Sequence, residues 1–305
     1  MRAVVFAYHN FGVTGLEALL RHGFEVAAVF SHEDDPREEV WFKSVKKFCQ
    51  EHRLPVFCPE DVNRPEEIAR IRALKPDIIF SFYYRQMLSP AILEIPPQGC
   101  LNLHGSLLPK YRGRAPVNWV LIHGEKETGV TLHYMLAKPD AGDIVGQRKV
   151  VITVEDTALT LYLKMEPAAA ELLDEVLPQI KAGEPARLPN RIAEGSYFGG
   201  RRPEDGKIVW TQSAWEIYNL VRALTHPYPG AFGMLEGEKF LVWRAKPATS
   251  DYVLAPGEIA LIEEKALVGT GSGELELLEV EYRGRTLKGA ELAPGLKPCE
   301  GKRLQ

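Results

Sequence analysis

The chain has 305 residues, 45% of them hydrophobic and 26% charged, and a formal net charge of -4. That length favours two domains over one, and the composition excludes disordered and fibrous classes while allowing a sizeable core. The slightly acidic balance provides no general attraction for the phosphates of a long nucleic acid.

The apolar start of the chain turns polar at His9 and Asn10, so it is too short for a signal peptide or a membrane helix and reads as a strand over residues 3–8. Residues 15–21 then predict a helix, 26–30 a strand, 40–52 a helix and 56–58 a strand. Residues 66–74 predict another helix, and the continuous apolar runs at 77–82 and 99–104 suit strands covered on both faces. This alternation predicts a doubly wound, mostly parallel α/β sheet. Residues 128–135 and 143–152 read as further strands, with a polar loop between them. Asp156 or Thr157 can cap a helix that begins near Ala158 and carries Leu159, Leu163, Leu173, Leu177 and Ile180 as its stripe, with Pro167 expected to kink it or to sit in an early turn.

Residues 183–200 are rich in Gly, Pro and charge and mark a boundary. The expected division is a first domain at 1–190, a linker at 191–205 and a small domain at 206–305. In the latter, residues 207–210, a helix at 213–224 and short strands at 239–243, 258–262 and 275–280 predict a β-rich, barrel-like unit. The four cysteines, Cys49, Cys58, Cys100 and Cys299, form no C-x-x-C pair and no cluster with histidine, so reduced thiols in a cytoplasmic protein and no metal site are expected.

Ligands of open α/β sheets gather beyond the carboxyl ends of the strands. The first strand end, Tyr8-His9-Asn10-Phe11-Gly12, lacks the G-x-G-x-x-G that brings backbone against a dinucleotide pyrophosphate, which argues against NAD. The second, residues 80–85 followed by Gln86, Met87 and Leu88, opens into aromatic side chains that form either a mouth for a flat ring or a lid over the core. The third places Asn102 and His104 two residues apart, on one face of an otherwise apolar strand. It runs into a loop with Arg112 and Arg114, residues suited to carboxylate or phosphate. Asp140 lies in a loop shaped by proline and glycine and, taken alone, is a turn aspartate. His9 and His133 read as hydrogen-bonded core or rim histidines.

Taken together, residues 102–113 and Asp140-Ala141-Gly142-Asp143 resemble the asparagine and histidine strand and the aspartate loop of the folate-dependent formyltransferases. Residues 5–9, 80–85 and 112–120 are similar to the formyltransferase part of the bifunctional enzyme that modifies UDP-4-amino-4-deoxy-L-arabinose, and the similarity covers both expected domains. The resemblance implies formyl transfer from 10-formyltetrahydrofolate to the 4-amino group of that sugar nucleotide, a step in lipid A modification and polymyxin resistance. The decarboxylating dehydrogenase part of the bifunctional enzyme is not expected in these residues.

The resemblance also implies that Asn102, His104 and Asp140 are catalytic, and that Gln86, Met87, Leu88, Arg114, Leu136, Ala137, Lys138, Pro139 and Asp140 border the folate. The residue chemistry agrees: an amide donates to a developing oxyanion, an imidazole moves protons near neutral pH, and a carboxylate orients or charges the imidazole. Arg112 or another surface base is a candidate for the nucleotide diphosphate, with a solvated arginine as the alternative.

Methionyl-tRNA formyltransferase and other nucleotide-sugar N-formyltransferases share these core residues, and a non-catalytic folate-binding module is the alternative outside enzymes. From residue 206 onward, 12 Lys plus Arg stand against 13 Asp plus Glu, a balance of -1, without the positive excess that tRNA binding calls for. The expected partners are therefore two small molecules, folate and nucleotide sugar, with the oligomeric state open.

Overall fold

In the computed structural model, which describes residues 1–34, 40–249 and 252–305, the chain opens with β1 (Arg2–Ala7), whose apolar residues from Ala3 onward are wholly buried. It turns directly into α1 (His9–Arg21), so this helix starts six residues earlier than residue 15. There follow β2 (Glu25–Phe30), α2 (Val45–Glu51), β3 (Val56–Phe57), α3 (Pro65–Ala73), β4 (Ile78–Phe82), α4 (Pro90–Leu93) and β5 (Cys100–His104). After these come β6 (Arg112–Gly113), α5 (Pro116–Ile122), β7 (Glu127–Tyr134), β8 (Ile144–Val151) and α6 (Ala158–Ala182).

The helix expected from residue 40 begins at Val45, where the Ser44 side chain accepts the Lys47 N–H as a cap. Trp41 and Phe42 pack their rings against His9 instead of joining it. α6 runs on past both Pro167 and Pro178, so Pro167 is not confined to an early turn. Its start is capped by Thr157, whose hydroxyl accepts the Thr160 N–H.

The first sheet has the order β3-β2-β1-β4-β5-β7-β8. It is parallel through β5, while β7 and β8 join antiparallel at one edge. This is the doubly wound, mostly parallel sheet that the sequence predicts. At α1, a β-carbon on Gly15 would collide with the Phe82 ring, so glycine lets the helix lie close to the sheet.

The backbone divides into two compact units: Met1–Pro116, Glu127–Val151 and Tyr162–Gly199 in the first, and Val117–Lys126, Ile152–Leu161 and Gly200–Gln305 in the second. The segment expected as a linker at 191–205 is thus shared between the units. Its first part is tied into unit 1 by β9 (Tyr197–Phe198), which pairs parallel with β6.

In the second unit, α7 (Ala214–Leu224) starts with a capping box between Ser213 and Glu216. It accompanies a six-stranded antiparallel sheet of β10 (Ala231–Leu235), β11 (Glu238–Ala248), β12 (Ile259–Ile262), β13 (Lys265–Gly269), β14 (Glu274–Tyr282) and β15 (Arg285–Lys288). The order is β10-β11-β14-β13-β12, with β15 also on β14. The expected barrel is not closed: β10 and β12 do not pair with each other among the described residues. Instead the last residues of the chain bond to both, Gln305 with Met234 and Leu304 and Lys302 with Gly257 and Ile259. Residues 207–210 form no strand, only a bridge from Lys207 to Phe232. Among the described residues no helix is long and apolar enough to cross a membrane.

Candidate active site

β5 and β7 pair so that Asn102 lies opposite His133 and His104 opposite Thr131, and β8 places Gln147 opposite Thr131. Residues directly opposite in an antiparallel ladder share a face, so five polar side chains gather on one side of the sheet. The intervening Leu101, Leu103 and Leu132 alternate into the core on the other side.

The loop after β7 departs beside the amino end of β5, because Tyr134 pairs with Leu101. It folds back over the polar face and delivers Asp140 there. One carboxylate oxygen, Oδ1, lies 3.3 Å from His133 Nε2, 3.5 Å from Asn102 Nδ2 and 3.6 Å from His104 Nδ1. The other, Oδ2, accepts the Gly113 N–H at 2.8 Å. The three residues singled out in the sequence therefore converge, and His133, read there as a core or rim histidine, sits closer to the carboxylate than His104 does.

Both imidazoles are held by backbone on their remaining nitrogen. His104 Nε2 donates to the Tyr111 carbonyl and His133 Nδ1 to the Tyr134 carbonyl, each at 2.8 Å. A neutral His133 accepts from the Asn102 amide across 3.2 Å. Carrying a second proton, it donates to Asp140 instead and releases that amide. Burial by itself would raise the Asp140 carboxyl, but the charge of His104, the hydrogen bond and charge of His133 and the Gly113 N–H outweigh it. Together they hold Asp140 well below the usual carboxylate range.

The loop that carries Tyr111 and Gly113 is tied down on the same polar face. Thr131 donates to the Ser106 carbonyl at 2.6 Å and accepts from the Leu108 N–H and from Gln147, while Ser106 donates to the Lys110 carbonyl. Gly113 has φ 100, and a β-carbon there would strike the Phe198 carbonyl. Tyr111 and Asp140 adopt left-handed backbone at φ 57 and 47 without being glycine, a strain that only a well-bonded surrounding holds in place.

Of the residues implied to border folate, Gln86 is engaged with neighbouring backbone, accepting from Val62 and donating to Glu60, and Leu88 is buried. Met87 and Leu136 are about half exposed, at 48% and 53%, and so leave apolar surface uncovered. Ala137, Lys138 and Arg114 are exposed and Pro139 half-buried, with the Arg114 N–H donating to Phe198. The aromatic run after β4 forms a lid: Tyr83 stacks on Phe11 at 4.8 Å, and Tyr84 stacks on His32 at 4.2 Å and meets Phe6 edge-on. His9 stacks on Phe42 at 3.5 Å, and burial, followed by the nearby Arg85 charge, lowers it to about 3, so it is a neutral core histidine. Arg112 is not a solvated arginine. It is nine-tenths buried beside the Tyr197 ring, and its Nε has no hydrogen-bond partner among the described residues.

Residues 1–177 match the family model described as formyl transferase, and residues 201–297 match the formyl transferase C-terminal domain. Among solved structures, the chain is similar to an N-formyltransferase from Helicobacter canadensis in complex with folinic acid and dTDP-3-aminofucose. The identity is 21%, the TM-score 0.70, and the match covers 90% of this chain and 98% of that one. It is also similar to a 4-N formyltransferase from Francisella tularensis at 22% identity and TM-score 0.64, covering 78% of this chain and 94% of that one. HypX from Aquifex aeolicus matches at 20% identity and TM-score 0.64 over 98% of this chain but 47% of its own length, so the chain spans about half of HypX. At these identities the likeness is one of fold.

Proposed function

Because the chain belongs to the formyl transferase family, we propose that it moves the formyl group of 10-formyltetrahydrofolate to the 4-amino group of UDP-4-amino-4-deoxy-L-arabinose. The observation that carries this reading is the meeting of Asn102, His104 and His133 around the Asp140 carboxylate. The sugar-nucleotide acceptor is supported by the resemblance of residues 5–9, 80–85 and 112–120, and by the dTDP-3-aminofucose bound to the Helicobacter canadensis protein. The same neighbour's folinic acid supports a folate donor, and half-exposed Met87 and Leu136 fit an apolar ring.

In this reading the amine nitrogen attacks the formyl carbon, negative charge gathers on the formyl oxygen, and the bond from that carbon to the folate nitrogen then breaks. Asn102 donates its amide hydrogens to the oxygen, which favours the state in which His133 pairs with Asp140 and leaves the amide available. His104 is fixed by its Nε2 bond to Tyr111, so Nδ1 is the ring atom that passes a proton from the attacking amine to the departing nitrogen. Asp140, kept ionised, stabilises the charged imidazoles and sets their orientation. No metal or redox group is required by these steps.

The test is to mix the protein and 10-formyltetrahydrofolate with the UDP amino sugar, with dTDP-linked amino sugars or with charged initiator tRNA, and to follow tetrahydrofolate release. Turnover is expected with the UDP amino sugar. Comparable turnover with the tRNA would reverse the acceptor assignment, and silence with all three would point to a folate-binding module.

A further inference from the structure

The segment 188–198 carries none of the catalytic side chains, yet it touches both loops that form the site. Leu188 bridges Ile144 at the start of β8. The Asn190 side chain donates to the Asp140 carbonyl at 3.0 Å and to the Gly142 carbonyl at 3.1 Å. Ser196 accepts the Tyr111 N–H on its hydroxyl at 2.9 Å and the Arg112 N–H on its carbonyl at 3.0 Å. Tyr111 in turn holds His104, and the neighbouring Gly113 holds Asp140.

Asn190 is the residue of this segment that holds the backbone of Asp140 directly. Both amide hydrogens are taken by carbonyls of the aspartate loop, so the amide cannot be turned over without setting its oxygen against two others. That orientation leaves Asn190 Oδ1 buried without a hydrogen-bond partner among the described residues, a cost set against the two bonds that the amide makes to the aspartate loop. Asp140 itself sits in the left-handed region at φ 47, which aspartate tolerates better than most residues, and its carbonyl is fixed there by the Asn190 amide. We infer that Asn190 is a positioning residue for formyl transfer: by clasping the carbonyls of Asp140 and Gly142, it keeps the Asp140 carboxylate within reach of His104 and His133. This inference rests on the reaction proposed above.

The test uses Asn190→Leu, which keeps the size and removes both donors, and Asn190→Ser, which keeps one donor. In the first, kcat is expected to fall about 10- to 100-fold with KM for either substrate within about threefold, as misplacement of a catalytic group by about an ångström does. The exchange of the Gly113 amide hydrogen, bonded to Asp140, is expected to speed up at least about tenfold while amides of β4 are unchanged. Asn190→Ser should fall between, and it decides the matter should the leucine variant not fold. Because the effect passes through Asp140, adding Asn190→Leu to Asp140→Asn should lower kcat by less than about threefold further, whereas a general loss of packing would multiply the two defects. Wild-type-like kcat with unchanged Gly113 exchange, or fully multiplying defects, would overturn the inference. Should the wild type transfer formyl to no amine, the functional reading falls on that result alone, and Gly113 exchange still decides whether Asn190 holds Asp140.

Discussion

Replacing Asp140 by asparagine keeps the size, removes the charge and turns one of its two accepting oxygens into a donor. Its Oδ1 lies 3.3 Å from His133 Nε2 and 3.6 Å from His104 Nδ1, and at an effective dielectric of about 20 each such pair attracts by about 5 kcal/mol when the ring is charged. Burial of the carboxylate opposes this gain, and the lowering of the Asp140 carboxyl below its ordinary range, which keeps it ionised, means that attraction wins. If about 3 to 5 kcal/mol of it reaches the transition state, Asp140→Asn lowers kcat by roughly 10² to 10⁴. Steady-state release of tetrahydrofolate at saturating substrates measures this, with circular dichroism and the melting temperature as the control for folding. The acid side provides a second reading of the same charge. A carboxyl depressed on folding stabilises the protein above its unfolded value near 4 and loses that contribution as pH falls through the folded value. The stability difference between wild type and variant should therefore shrink below about pH 4. A kcat within about fivefold of wild type in a folded Asp140→Asn protein would refute the reasoning.

Asn102→Ala should lower kcat by about 10² to 10³ and His104→Ala by about 10² to 10⁴, with far smaller changes in melting temperature, both checked by the same assay. His9 is neutral in the fold and titrates at about 3 there against 6.5 unfolded, so it withdraws stability as pH falls from 6.5 toward 3. The slope is at most about 1.4 kcal/mol per pH unit, and urea titrations of His9→Gln should show that slope reduced. Gly113→Ala sets a β-carbon against the Phe198 carbonyl at φ 100, and should lose about 1 to 3 kcal/mol in urea unfolding together with activity. Burial pushes the Cys49 and Cys100 thiols up to about 12 and that of Cys58 up to about 11. Iodoacetamide at pH 8 should therefore label the folded protein at these positions at least about tenfold more slowly than a free cysteine.

Composition and periodicity were sufficient for the parallel sheet. A largely apolar run such as 78–82 suits a strand covered on both faces, and these residues are almost wholly buried in β4. Asn102 and His104 were legible as a pair for an equally local reason, since a strand places alternate residues on one face. Local sequence does not say which strand pairs with which, or in what register. That register brings His133 opposite Asn102, and nothing near His133 signals it. The same holds for Asp140, whose loop reaches the polar face only by folding back from the far end of β7. It holds also for Asn190, which lies in the boundary stretch 183–200, since its hydrogen-bond partners are about 50 residues away in the chain. Lid and mouth were equally consistent with the aromatic run after β4 until Phe11, His32 and Phe6 supplied its stacking partners. Side-chain type and strand alternation are local properties and were readable from the chain, whereas the convergence of amide, imidazoles and carboxylate depends on long-range strand pairing, which only the folded backbone decides.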